Sequence, residues 1–170
     1  MILNLKKKYG GEKRELKTSK LPIDLKYLFE NKYIECIQML IILFLFKQRR
    51  KGIDFDEILY YFTLLSVTTT DSQNSFYIDE TYIQNNYLTY EKTIRDNMII
   101  LSNQKFIKID IEPTGKKNIM YSKITEEGKS LVSNLENSYF KSEIEKCKNI
   151  IETRKFSSKN QREVLVKNEN

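Results

Sequence analysis

Lys92 and Arg95 stand three residues apart in a stretch with helical periodicity, Tyr90 precedes them, and Lys116 and Lys117 follow at a polar turn. Lys and Arg are the side chains that neutralise phosphate oxygens, with tyrosine an occasional hydrogen-bonding companion. These five residues are therefore candidate DNA contacts, and the same four cations would also make an ordinary solvated face. Asp54, Asp56 and Glu57 form a second cluster. Three carboxylates can hold a cation, but an Asp followed three residues later by Glu has the form of a capping box and needs no ion. The chain contains no histidine, which removes Cys/His zinc sites, serine–histidine triads and histidine general bases together. It has only 5 glycines and no glycine-rich phosphate loop. The expectation is a binding protein rather than an enzyme, with no cofactor and no metal.

Charge limits what such a protein can hold alone. The net charge is +6 over 170 residues. Residues 1–20 carry seven Lys/Arg against two Asp/Glu, and residues 152–170 carry five against three, so the body from 21 to 151 is left at −1. Autonomous DNA binding draws on many phosphate contacts. Contact through the body is therefore expected to be modest, tail-assisted or made within a larger assembly. Lys6, Lys7, Lys8, Lys13 and Arg14 would suit DNA or an acidic partner, and equally a solubilising tail. The aromatic residues around Tyr60, Tyr61 and Phe62, with Tyr82 and Tyr87, could be an interface patch or simple packing.

Length and hydropathy point to one compact domain with tails. The longest apolar run, Met39 to Phe46, is far shorter than the roughly 20 residues of a membrane span. The lysines at the N-terminus have no apolar segment behind them, so no secretory signal is expected and the cytoplasm is the expected location. Cys36 and Cys147 are expected to be reduced thiols.

The elements that would position these residues follow from periodicity. Pro22 suits a helix start, with a short helix over 24–33. Residues 34–46 follow as a helix apolar on nearly every side, which must be covered all round. It is either a central core helix or a surface partly meant for another chain. On the second reading, Met39, Ile42, Leu43 and Phe46 are candidate partner contacts. Asp54 opens a second helix through Leu65. Residues 66–86 read as a polar loop with a short helix near 79–84, and Thr89 as the N-cap of a third helix with Ile94, Met98 and Leu101 in register. Ile107, Ile109 and Ile111 alternate with polar residues, Pro113 to Gly115 supply a turn, and Thr125 caps a last helix with one apolar seam from Leu131 to Ile151. Residues 152–170 read as a polar tail without structure.

A helix followed by a β-hairpin and another helix is the build of a winged helix. The expected fold is mainly α with a small β-hairpin: a winged helix-turn-helix over 21–151, with an extra N-terminal helix and a long C-terminal helix. The passage Tyr121-Ser122-Lys123-Ile124-Thr125-Glu126-Glu127-Gly128 resembles the Y-x-x-(L/I)-T-x-x-G step of winged-helix proteins. With the preceding helices, the layout over roughly residues 20–150 resembles the middle component of bacterial three-component ABC systems, of which Lamassu antiphage defence is the best known. That resemblance implies a non-catalytic accessory subunit partnering an SMC-like ATPase and a nuclease-type effector, with double-stranded DNA engaged through the complex and no membrane. The alternative is a dimeric winged-helix transcription regulator, with the helix near Tyr139 to Ile151 as its dimer seam.

Overall fold

A computed structural model describes residues 23–70, 75–78, 80–115, 117–135 and 138–166. The chain divides into two units, Met1–Lys32 and Tyr33–Asn170. Of the first, only the opening of a helix is described, and the basic segment expected over 1–20 lies outside the described residues. The second unit holds the core and both hairpins. No helix among the described residues is long and apolar enough to cross a membrane.

The fold is mainly helical with a small antiparallel sheet. Helix α1 spans Ile23–Leu45, strand β1 Ile53–Asp54 and helix α2 Phe55–Val67. A short hairpin follows, β2 (Thr68–Thr70) and β3 (Phe76–Ile78), and then the long helix α3 (Glu80–Asn103). Strands β4 (Ile107–Thr114) and β5 (Lys117–Ile124) form a second hairpin, succeeded by α4 (Glu126–Ser133), α5 (Ser138–Thr153) and α6 (Ser158–Val166). β1 pairs with β5, Ile53 opposite Ser122, so the three-stranded sheet has the order β1-β5-β4.

Local chemistry accounts for the element starts. The Glu57 N–H donates to Asp54 Oδ1 at 2.8 Å, so Asp54 caps α2 as its spacing predicts. The Gly128 N–H donates to Thr125 Oγ1 at 3.1 Å, capping α4. The same Thr125 hydroxyl donates to the Lys105 carbonyl, which fixes the start of α4 against the turn from α3 into β4. Gly52 sits at φ +83° between α1 and β1, against the Ser122 carbonyl oxygen. That close approach is what brings β1 onto β5.

Several expectations need correction. The two helices expected over 24–33 and 34–46 are one, α1. Residues 66–86 hold the β2–β3 hairpin and the opening of α3, so Thr89 lies inside a helix and does not cap it. The single C-terminal helix is broken after Ser133 into α4 and α5. The tail expected from 152 is ordered through α6: the Phe156 ring lies 5.5 Å from Tyr60, and its N–H donates to Tyr61 Oη at 3.0 Å.

The largest correction concerns residues 34–46. Met39 and Ile42 are 0% exposed and Leu43 2%, while Phe46 is half-buried against Tyr61 with Arg49 over its ring. The chain covers this helix itself, so these four are not an open partner surface. Part of the cover comes from the C-terminal region, which folds back. Gln38 Nε2 donates to Glu143 Oε2 at 2.8 Å, pinning α1 to α5, and Lys146 pairs with the same carboxylate. Each large apolar side chain so enclosed contributes on the order of 2 kcal/mol.

Gly52→Ala should cost the fold about 3 kcal/mol, since a methyl group there meets the Ser122 carbonyl at a backbone conformation that L residues avoid. Urea unfolding measures it. A loss under 1 kcal/mol would mean the β1–β5 junction relaxes freely.

Candidate nucleic-acid interface

The residues expected to meet DNA are built from two elements. α3 carries Tyr90, Lys92 and Arg95, while the β4–β5 hairpin carries Lys117 at its tip. Lys116 lies outside the described residues. α3 turns Ile94, Met98 and Leu101 into the core, all within 3% exposure, as their spacing predicts. Tyr90 sits half-buried, edge-on to Phe62 with ring centres 6.0 Å apart. Burial, and after it the charge of Glu35, pushes the Tyr90 phenol above its ordinary pKa. Its ring is spent on packing, whereas Lys92 is exposed. Tyr60, Tyr61 and Phe62 are buried core residues rather than an interface patch. The side chains of Tyr82 and Tyr87 lie outside what the structure describes.

Arg95 and Lys117 do come together. Both line a cleft of about 230 Å³ with Asp54, Phe55, Asp56 and Met120. The guanidinium lies 4.4 Å over the Phe55 ring, and Nη2 is 2.7 Å from Glu91 Oε1. Lys117 Nζ lies 3.8 Å from Asp56 Oδ2. Two cations thus meet Asp54, Asp56 and Glu91 at close quarters. A phosphate entering here would have to displace carboxylates, so the cleft is charge-balanced.

A larger open groove lies elsewhere, where the C-terminal ends of α1 and α3 meet the base of the β4–β5 hairpin and the start of α4. It encloses about 990 Å³ and is lined by Lys47, Arg50, Lys105, Lys108, Lys123 and Lys129 against Asp110, Glu126 and Glu127. Lys129 pairs with Glu126 at 2.7 Å, and Lys123 Nζ donates to the Arg50 carbonyl at 3.0 Å. Lys47, Arg50, Lys105 and Lys108 have no ion pair among the described residues; Lys47 rests 3.9 Å over the Phe44 ring. The Glu127 carboxyl is held below the usual carboxylate range, first by hydrogen bonds at the helix cap and then by the charges of Lys105 and Lys108. Lys51, outside this groove, grips both carboxylate oxygens of Glu112 at 2.9 Å.

Sequence reasoning missed this groove because its cations are scattered over five segments and form no run. One signal was available. With the turn at 115–116, the hairpin register sets Lys108 opposite Lys123, as observed.

Nucleophilic chemistry has little to work with at Cys147. It is 1% exposed, and burial, followed by the charge of Glu143, pushes its thiol up to about 12. Cys36 is likewise buried.

Comparison with protein-family models, curated proteins and solved structures returns no significant match.

In a Cys36→Ala background, the remaining Cys147 thiol should ignore a disulfide reagent near pH 8 and react once the chain is denatured. Its raised pKa favours the native state below the ordinary thiol value of about 9, so this contribution fades as pH rises from there toward 12. Rapid stoichiometric labelling of the native protein would show that Cys147 is reachable.

Proposed function

We propose that this chain is a non-catalytic winged-helix subunit of an SMC-like ATPase complex, bridging the ATPase to a nuclease-type effector in antiphage or antiplasmid defence. The observation that carries the fold is the strand wiring. β1, lying between α1 and α2, pairs with β5, the second strand of the hairpin after α3. That is the order in which a winged helix closes its sheet, here with the β2–β3 hairpin added between α2 and α3.

The resemblance at Tyr121–Gly128 has a physical basis. Thr125 caps α4, and the absent side chain at Gly128 lets the helix pack on the Phe106 carbonyl. Both residues suit a wing strand that turns directly into a helix. With Met39–Leu43 closed off, a partner subunit has other surface to use: Tyr33 is 74% exposed, Tyr77 67%, Ile99 59% and Ile111 64%.

The regulator alternative fares less well. Within its dimer seam Cys147 is 1% exposed in a single chain, and Ile144 and Ile151 are half-buried, which leaves Tyr139 at 46% as its open end. Of its candidate recognition side chains, Tyr90 packs on Phe62 and Arg95 pairs with Glu91, which leaves Lys92.

Affinity purification of the tagged full chain from its native cells, followed by size exclusion, should yield a coiled-coil ATPase in fixed ratio with it. Elution as a lone monomer from a lysate containing such an ATPase would count against this function. Elution as a homodimer that selects one duplex sequence would favour the regulator.

A further inference from the structure

We infer that the groove formed by Lys47, Arg50, Lys105, Lys108, Lys123 and Lys129 is a sequence-independent seat for the phosphate backbone of duplex nucleic acid, separate from the cleft of Arg95 and Lys117. Three observations carry it. The first is charge. The body of the chain is net −1, yet this one groove collects six cations against three carboxylates. Five of the six have no ion pair among the described residues, Lys129 with Glu126 being the exception, in contrast to the neutralised Arg95–Lys117 cleft.

The second is that three lysines stand where they cost the fold something. Lys105 occupies a left-handed backbone conformation, φ 62°, that glycine or asparagine adopts without strain. Lys108 and Lys123 face each other directly across β4 and β5. Like charges opposed in an antiparallel pair repel and destabilise it. Helix-end electrostatics explains cations after the C-terminal ends of α1 and α3, such as Lys47 and Lys105. It does not explain a lysine pair facing itself on a sheet. An anion lying over the pair turns the repulsion into two attractions.

The third is the lining. Five of the six cations are lysines, point charges suited to phosphate but without the planar fork that reads a base edge bidentately. No aromatic ring is among the described residues lining the groove. Single-stranded bases would find no stacking platform there. Its apolar lining is Ile107, Ile109 and Ile124, the first and last of them buried in the core, and charged side chains predominate around them, unlike the mostly apolar walls that hold a small ligand. The occupant is therefore a regular, closely spaced polyanion presented from outside, which a duplex backbone supplies. This deepens the accessory-subunit proposal by assigning the face that would lie on DNA. Its test needs only this chain, so failure to capture an ATPase leaves it standing.

Fluorescence anisotropy of the full chain with a short labelled duplex of arbitrary sequence tests the groove. Affinity should fall about a hundredfold between 50 and 200 mM salt, for roughly four phosphate contacts. The double variant Lys105→Gly/Lys108→Gln should flatten the logarithmic salt slope by about 2, weakening all duplex sequences alike. Its melting temperature should hold or rise, since left-handed strain and like-charge repulsion are both relieved. A purely structural role for these lysines predicts the reverse, a lower melting temperature with an unchanged slope. Lys92→Gln, on the exposed side of α3, should leave the slope as it is. Three results overturn the inference: an unchanged slope in the double variant, a slope that falls with Lys92→Gln instead, or tighter binding to the single strand. Competition by polyglutamate as effective as by duplex would reassign the groove to an acidic polypeptide.

Discussion

Everything in this molecule is arranged around a helix with almost no surface of its own. Eleven of the thirteen residues of α2 are buried, including both tyrosines of the Tyr60-Tyr61 pair. A helix closed off on every side cannot be covered by one neighbour. α1, nearly as apolar over Met39–Leu43, serves as part of the cover and needs cover in turn. The remaining elements supply it: α3 with its Ile94–Leu101 stripe, α5 through Cys147 and Ile150, and Phe156 over Tyr60. The position of the sheet follows from the same constraint. β1 leads directly into α2, so anchoring α2 places β1, and β5 and β4 build outward from it.

Polar groups inside this enclosure are few and specific. Gln38, Glu143 and Lys146 connect α1 and α5, and Lys146 reaches the Thr68 carbonyl at 3.3 Å. A buried ion pair of this kind adds little net stability over an apolar equivalent, but losing one member leaves an uncompensated charge. The network fixes which turn of α5 meets which turn of α1, a register that apolar contacts alone would leave loose.

Where local chemistry decides an element, the sequence was readable. The Asp54 and Thr125 caps, the alternating isoleucines of β4 and the Ile94–Met98–Leu101 stripe depend on neighbours a few residues away. Where distant packing decides, it was not. Thr68–Thr70 and Phe76–Ile78 are too short for alternation to stand out, and each is a strand only through its pairing with the other. Thr89 is a credible cap, yet α3 is already under way from Glu80. The apolar excess of α1 was visible as composition. Its disposal was not, because a partner such as Glu143 of α5 lies 105 residues away in the sequence from Gln38. The same distance hid the site. Arg95 and Lys117 were identified and do share a cleft, but their carboxylate neighbours come from the start of α2 and from the preceding turn of α3. The groove draws one or two cations each from the end of α1, the α3–β4 turn, the hairpin and α4, and becomes visible only after the fold is assembled.

The Gln38–Glu143 contact spans 105 residues of sequence. During synthesis, α1 and α2 therefore emerge with part of their oily faces bare, and that cover is not made until α5 has been synthesised. Contacts of such long sequence separation slow folding and prolong the exposure of apolar surface. This chain has a vulnerable infancy on the ribosome. Any truncation that removes α5 would leave a nascent product whose inner surfaces turn outward, one for chaperones or proteases rather than a smaller working protein.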